Sequence, residues 1–299
     1  MADSILDLIK QLRERTGAGL MDCKKALLEN GNDVDKAADW LREKGIAKQA
    51  KKAATRIAAE GVADVLVDGN KASVLEINSE TDFVANSDPF RALVKEVNAI
   101  VLAKEPTSVE QAIECTNAEG KSIKDLFLDA SIKLGEKLDF RRFVIVKKND
   151  DETFGPYIHM RGKIATLVVI KGGDKEVANG IALNVCSMNP SYKTFDEIPE
   201  DVRAKELAIQ TEASKQDPNF AKKPEAIQAK IVDGRVRTAL GESVLTEEPY
   251  VLDEHKKVGQ FLQEHNACVV TFVRYAVGEG IEKRQDDFAA EVAAQAAGK

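Results

Sequence analysis

The chain carries two copies of one pattern. Gly61 to Asn86 and Gly155 to Asn179 each run from a glycine through a hairpin turn, centred on Asp68-Gly69 or on Arg161-Gly162, into an apolar strand that leads to Val-Ala-Asn. Val84-Ala85-Asn86 and Val177-Ala178-Asn179 each begin nine residues after a strand residue, Leu75 in one copy and Val168 in the other. Such self-similarity implies two related α+β units and restricts the fold more than any single motif does. Each unit needs a third strand, which residues 140–146 are expected to supply to the first and residues 269–275 to the second.

The second copy is longer because it holds an insertion. After Asn189-Pro190 the chain is polar and charged, with a helical stretch near Asp201 to Lys215, a break at Asp217-Pro218 and a second helix opened by Pro224. Its apolar positions, Val202, Ile209, Ile227 and Ile231, are sparse. That pattern predicts a protruding, coiled-coil-like helical hairpin, open to pairing with another copy or another protein as a homodimer or heterotetramer; the alternative is a solvated spacer. Ahead of the repeats, residues 1–55 read as three short helices, with Leu6, Ile9 and Leu12, then Met21, Ala26 and Leu27, then Val34, Ala37, Ala38 and Leu41 at core spacing. Gly17-Ala18-Gly19, Gly31 and Gly45 supply the breaks, and a linker is expected from Lys48 to Arg56.

The expected architecture is therefore α+β and multidomain: an N-terminal three-helix bundle (1–55), two repeated core subdomains with antiparallel sheets (56–149, then 150–190 with 233–276), the inserted hairpin (191–232) and a C-terminal helical module (277–299). In the last, Phe288, Val292 and several alanines share one face from Asp286 onward.

Length and charge narrow the function classes. At 299 residues the chain can bury more than one core, and its net charge of −7, with 43 basic and 50 acidic residues intermixed, lacks the basic stripe that nucleic-acid binding requires. A protein partner fits better. Cys23, Cys115, Cys186 and Cys268 are too scattered for a zinc site or a disulfide framework, which implies a reducing cytoplasmic setting. The N-terminal stretch, with Asp3, Asp7 and Glu14, reads as neither a secretory signal nor a transit peptide, and no apolar run is long enough to span a bilayer.

One junction looks built to be inserted into something. Thr81-Asp82-Phe83-Val84-Ala85-Asn86 places an acid and a bulky ring between a strand, Ser73 to Ile77, and a helix opened by Asp88-Pro89, in which Phe90, Leu93, Val94, Val97, Ile100 and Val101 keep helical spacing. Two readings stand at this point: Phe83 folds back as a core plug while Asp82 caps a turn, or the pair projects toward a partner.

Catalytic patterns fail on their residues. Gly120-Lys121-Ser122 ends like a phosphate-binding loop, but its required first glycine is Cys115. Gly278-Glu279-Gly280 has Lys283 where a third glycine belongs, and Glu264-His265 has no second histidine at helical spacing. His159, beside Tyr157 in a strand-rich stretch, is by itself a structural residue more readily than a base.

Residues 12–27, Leu-Arg-Glu-Arg-Thr-Gly-Ala-Gly-Leu-Met-Asp-Cys-Lys-Lys-Ala-Leu, together with Thr81 to Ala85, His159, Val258-Gly259-Gln260-Phe261-Leu262 and Val277-Gly278-Glu279-Gly280-Ile281, closely resemble the bacterial elongation factor Ts family in the family's order. The resemblance covers essentially the whole chain, with one departure at Lys163, where the family more often has arginine. It implies a ubiquitin-associated-like N-terminal bundle and a non-catalytic guanine nucleotide exchange factor, without cofactor or metal of its own, acting on elongation factor Tu in its GDP-bound and nucleotide-free forms. Thr81, Asp82, Phe83 and Val84 would form a wedge that displaces the partner's support for magnesium. Leu12, Leu20 and Met21, and separately His159, Gly162 and Lys163, would make further contacts, and the C-terminal helix would dock on the GTPase domain. An adaptor without effect on nucleotides and an enzyme on the α+β core remain as alternatives.

Overall fold

The computed structural model describes residues 4–16, 18–53 and 56–282, with the side chains of 46–53 outside that description. The C-terminal helix expected from Asp286 lies outside the described residues. The chain divides into two compact units. The first takes in the residues up to Asp64, Leu75–Phe143 and the chain from Ala276; the second takes in Val65–Val74 and Val144–Tyr275.

The first unit opens with α1 (Ile5–Thr16), α2 (Leu20–Glu29) and α3 (Val34–Ala53). Their core is Ile9, Leu12, Cys23, Ala26, Leu27 and Ala37, edged by Leu8, Val34, Trp40 and Leu41. Two expected core residues are not in it: Leu6 is 73% and Met21 71% exposed. On α2 the inward stripe is Cys23, Ala26 and Leu27, and Met21, two residues before Cys23, projects from the opposite face at the pitch of an α-helix. Gly45 does not break the chain as expected, and most of the expected Lys48 to Arg56 linker is helical, since α3 runs on to Ala53. A lone glycine lowers helix stability without ending a helix, and here it allows close packing, because a Cβ at Gly45 would meet the Ile132 side chain at 2.7 Å.

β1 (Glu60–Asp68) and β2 (Lys71–Ser79) are followed by a single helical turn, α4 (Asp82–Ala85), then α5 (Asp88–Lys104), α6 (Val109–Ala112), α7 (Ile123–Leu134) and β3 (Asp139–Lys147). The strands form a sheet of order β1-β2-β3, with the expected third strand beside β2. α5 buries all six apolar positions read from its spacing, Phe90 through Val101. Its N-cap is Ser87 rather than Asp88, which places Pro89 in the first turn, where no backbone donor is needed. β2 is buried from Ala72 to Ser79, on both faces, which places Glu76 fully inside. Four donors satisfy its carboxylate: Arg141 at 2.9 Å, Arg142 at 2.6 Å, Asn78 at 3.0 Å and the Gly278 amide at 2.7 Å. Gly278 has φ +75°, and a Cβ there would collide with the Ala59 carbonyl oxygen, so the second glycine-rich motif is a structural brace. The first is structural too: Ser122 caps α7 by accepting from the Asp125 amide, and Lys121 pairs with Asp129.

The second unit holds β4 (Glu152–His159), β5 (Ile164–Lys171), α8 (Lys175–Met188), α9 (Glu200–Lys215), α10 (Glu225–Gly241), β6 (Pro249–Tyr250), β7 (Asp253–Lys257), α11 (Val258–Glu264) and β8 (Cys268–Ala276). Its main sheet has the order β4-β5-β8, and β4 and β5 pair antiparallel from Glu152 opposite Lys171 to His159 opposite Ile164. Val168, Ile170, Val177, Ala178, Ile181 and Val185 build the core with Leu245, Tyr250 and Leu262. α9 and α10 form the inserted hairpin, and α10 continues past Val232 through Gly241. The hairpin has its own core of Ile198, Phe220, Val232, Val236, Leu240 and Val244, with Phe220 supplied by the connection between the two helices, while Ile209 and Ile227 stay exposed.

Candidate partner-binding site

α4 forms because Thr81 caps it. Thr81 is extended (φ −123°, ψ 154°) and its hydroxyl oxygen accepts from the Val84 amide at 3.3 Å. Behind the cap, Val84 and Ala85 turn inward and are buried. Ahead of them, Phe83 is 83% exposed. The core-plug reading is thereby excluded within this chain; the buried phenylalanine of this region is Phe90. Asp82 is exposed beside the ring, and among the described residues nothing pairs with its carboxylate.

The turn is heavily tied for its size. Asn86 donates from backbone and side chain to the Asp82 carbonyl, both at 2.9 Å, and the Ser87 hydroxyl donates to the Val84 carbonyl at 2.7 Å. Glu136, just past α7, accepts from the Thr81 hydroxyl at 2.6 Å and from the Glu80 and Thr81 amides at 3.1 Å. Glu80 in turn accepts from the Lys137 amide at 2.6 Å and from Arg56 at 2.8 Å. Neither Glu80 nor Glu136 carries a pattern of its own in the sequence; the fold alone brings them together.

Of the N-terminal candidates, Leu20 (53%) and Met21 (71%) are exposed, whereas Leu12 is fully buried in the helical core and has no surface to offer a partner. Leu28, 60% exposed on the same helix as Leu20 and Met21, was not anticipated.

In the second unit His159 is half-buried at the end of β4, and its Nδ1 lies 3.2 Å from the Tyr157 hydroxyl, two residues back on the same strand face. Its carbonyl accepts from the Gly162 and Lys163 amides, each at 3.0 Å. Met160, Arg161 and Gly162 all have positive φ, +46°, +56° and +95°. Only the glycine adopts this without strain, so the turn holds two side chains in a disfavoured conformation. Gly162 is buried and shapes the turn, while Met160 (69%) and Ile158 (41%) present apolar surface beside His159.

The second unit also holds a carboxyl away from these residues. Glu248 is 2% exposed; one of its carboxyl oxygens accepts from the Asn184 side-chain amide at 3.1 Å, and the other is buried with no partner among the described residues. Burial pushes its pKa up to about 7, with the Asn184 hydrogen bond opposing. Glu76 goes the other way: burial pushes it up, but the Gly278 amide, Asn78 and the two arginines outweigh burial and hold it below the ordinary glutamate range.

Among the described residues no group of three or more histidine, cysteine or acidic side chains is arranged to hold a metal, and no helix is long and apolar enough to cross a membrane. An apolar ring thus stands out on a braced turn of an α+β chain, with further exposed apolar residues on separate elements. Residues 80–279 match the family described as Elongation factor TS, and residues 2–51 match that described as Elongation factor Ts, mitochondrial, N-terminal. The elongation factors Ts of Limosilactobacillus reuteri strain DSM 20016 and of its subspecies reuteri strain JCM 1112 are each 44% identical over 292 residues, covering 98% of this chain and 98% of the relative. The chain belongs to the elongation factor Ts family, a family of translation elongation factors.

Proposed function

We propose that the chain is the guanine nucleotide exchange factor of cytoplasmic translation elongation, binding elongation factor Tu and promoting GDP release so that GTP can enter. The observation that carries this reading is the exposed ring of Phe83 on a turn that its surroundings hold in place. Burying a phenylalanine side chain stabilises by about 1.5–3 kcal/mol, a gain this chain leaves to a partner.

Exchange works by reciprocity. A factor that lowers its partner's affinity for GDP must itself be bound less tightly, by the same ratio, when GDP is present. Phe83 supplies volume for insertion into the GTPase domain and Asp82 a polar anchor beside it; Thr81 caps the turn, and Val84, being buried, holds it from behind. Insertion displaces groups that support the partner's magnesium ion. Because that ion is among the largest charges at a phosphate site, loosening it weakens the grip on GDP. Contacts through Leu20 and Met21, and through His159 and Lys163 on the turn that the buried Gly162 shapes, supply binding energy that the insertion converts into distortion. The chain itself performs no bond-making step and holds no nucleotide, metal or cofactor.

Release of a fluorescent GDP from purified elongation factor Tu tests this directly. The chain should accelerate release strongly at catalytic amounts; binding without acceleration would identify an adaptor, and neither binding nor acceleration would overturn the reading.

A further inference from the structure

We infer that Glu136, working with Glu80, is a positioning residue for exchange: it fixes the direction in which Phe83 projects, and it does so without touching the partner's nucleotide. The inference rests on the reading of Phe83 as the inserted side chain.

α4 is one turn long, and a single turn does not stand alone, since fixing its dihedrals gains too few hydrogen bonds. Its own cap bond, 3.3 Å from the Thr81 oxygen to the Val84 amide, is at the long end of useful geometry. What holds it comes from far along the chain. One carboxylate, Glu136, satisfies three donors on two successive residues: Glu80 N–H, Thr81 N–H and the Thr81 hydroxyl. The arrangement is reciprocal, because the Glu80 carboxylate accepts the Lys137 amide next to Glu136 and is further held by Arg56, while the Lys137 ammonium donates to the Arg56 carbonyl at 3.2 Å. Charge-assisted bonds of this kind are shorter and stronger than neutral ones, and two carboxylates, one holding the Glu80 and Thr81 amides and the other the Lys137 amide, permit little rotation of the turn that follows Thr81. Gly135, in the left-handed conformation at φ +76°, ends α7 and turns Glu136 toward the loop.

The mechanical consequence concerns insertion. A ring on a loose turn bends back when pressed against a folded partner and binds without displacing anything. A ring on a latched turn transmits the strain to the partner, and less ordering is required on binding. Removing the latch should therefore separate two quantities that a merely structural residue would move together: maximal GDP release should slow more than binding to nucleotide-free partner weakens.

The experiment is a double-mutant cycle on the full chain. GDP release from elongation factor Tu is measured at saturating wild type, Glu136→Ala, Phe83→Ala and the double variant. Glu136→Ala is expected to slow maximal release about tenfold and to slow it little further once Phe83 is absent, because Glu136 acts through that ring. An unchanged rate in Glu136→Ala, or effects of the two single variants that multiply in the double variant, would overturn the inference while leaving the role of Phe83 standing. Full activity in Phe83→Ala would instead sink the role of Phe83 and the latch with it. If Glu136→Ala does not fold, Glu136→Gln, which keeps the shape and removes the charge that strengthens the three bonds, enters the same cycle with the same deciding outcomes.

Discussion

The two hairpin units share a scaffold and differ at the mouth of one helix. In each, a buried isoleucine, Ile77 or Ile170, lies near the end of the central strand, and a buried Val-Ala pair, Val84-Ala85 or Val177-Ala178, follows a side-chain cap. Thr81 caps by accepting from the Val84 amide; Asp174 caps by accepting from those of Glu176 and Val177. The second unit then runs straight on as α8, a helix of 14 residues. The first makes one turn, α4, breaks at the extended Ser87 and restarts as α5. Immediately before the buried pair stands Phe83 in the first unit and Glu176 in the second, both exposed. A glutamate there is an ordinary solvated helix residue near a positive helix end. The scaffold therefore needs a cap and two small apolar residues at this place; the aromatic ring is surplus to folding.

If the scaffolds are equivalent, they should fail alike. Ile77→Ala and Ile170→Ala each leave a cavity at a fully buried strand position and are expected to cost about 2–5 kcal/mol in chemical denaturation. A loss confined to one of them would break the equivalence.

A difference between the units should appear on titration. Glu248 of the second unit, raised to about 7 from an ordinary 4.5, binds its proton more tightly folded than unfolded. Stability from this group is therefore full below about pH 4.5 and falls as pH rises toward 7, by on the order of 3 kcal/mol in all. Glu248→Gln, which keeps the neutral shape, should flatten that slope; a slope unchanged in the variant would remove Glu248 as its source. Glu76 of the first unit has the opposite sign, since its depressed pKa contributes stability that is lost as pH falls. The two units should thus respond to pH in opposite senses through these groups.

A smaller effect separates the caps. Asp174→Ala removes the self-contained cap of α8 and should cost about 1 kcal/mol of stability, with GDP release unaffected. Slowed release in that variant would place the second unit's helix mouth in the exchange mechanism and erase the contrast with the first.

How far these features were legible follows from the range of the forces involved. The strands and α5 were readable because burial imposes a period along the chain: every apolar position predicted for α5 is buried, and residues 140–146 and 269–275 fall within β3 and β8. Boundaries moved where one residue type serves two ends, as with Ser87 taking the cap assigned to Asp88, or where a glycine packs instead of breaking, as at Gly45. In the site, the motif from Thr81 to Asn86 was visible but the direction of Phe83 was not, since a plug and a projection have the same local composition. Glu136 was invisible for a different reason: its partners lie more than 50 residues away, and an isolated glutamate after a helix reads as solvated surface. Glu76 was hidden in the same way, its arginine partners being paired with it only by the sheet. Leu12, read as a contact candidate, was claimed by the helical core because it shares that stripe with Ile9.

The smallest stability change and the largest functional one should coincide at Phe83. With the ring 83% exposed, Phe83→Ala, or Phe83→Glu to copy the second unit, should shift unfolding by no more than about 0.5 kcal/mol. GDP release from elongation factor Tu, measured by stopped-flow fluorescence at saturating Phe83→Ala, should nevertheless slow by more than binding to the nucleotide-free partner weakens. A variant that remains folded and releases GDP at the wild-type rate would contradict the account.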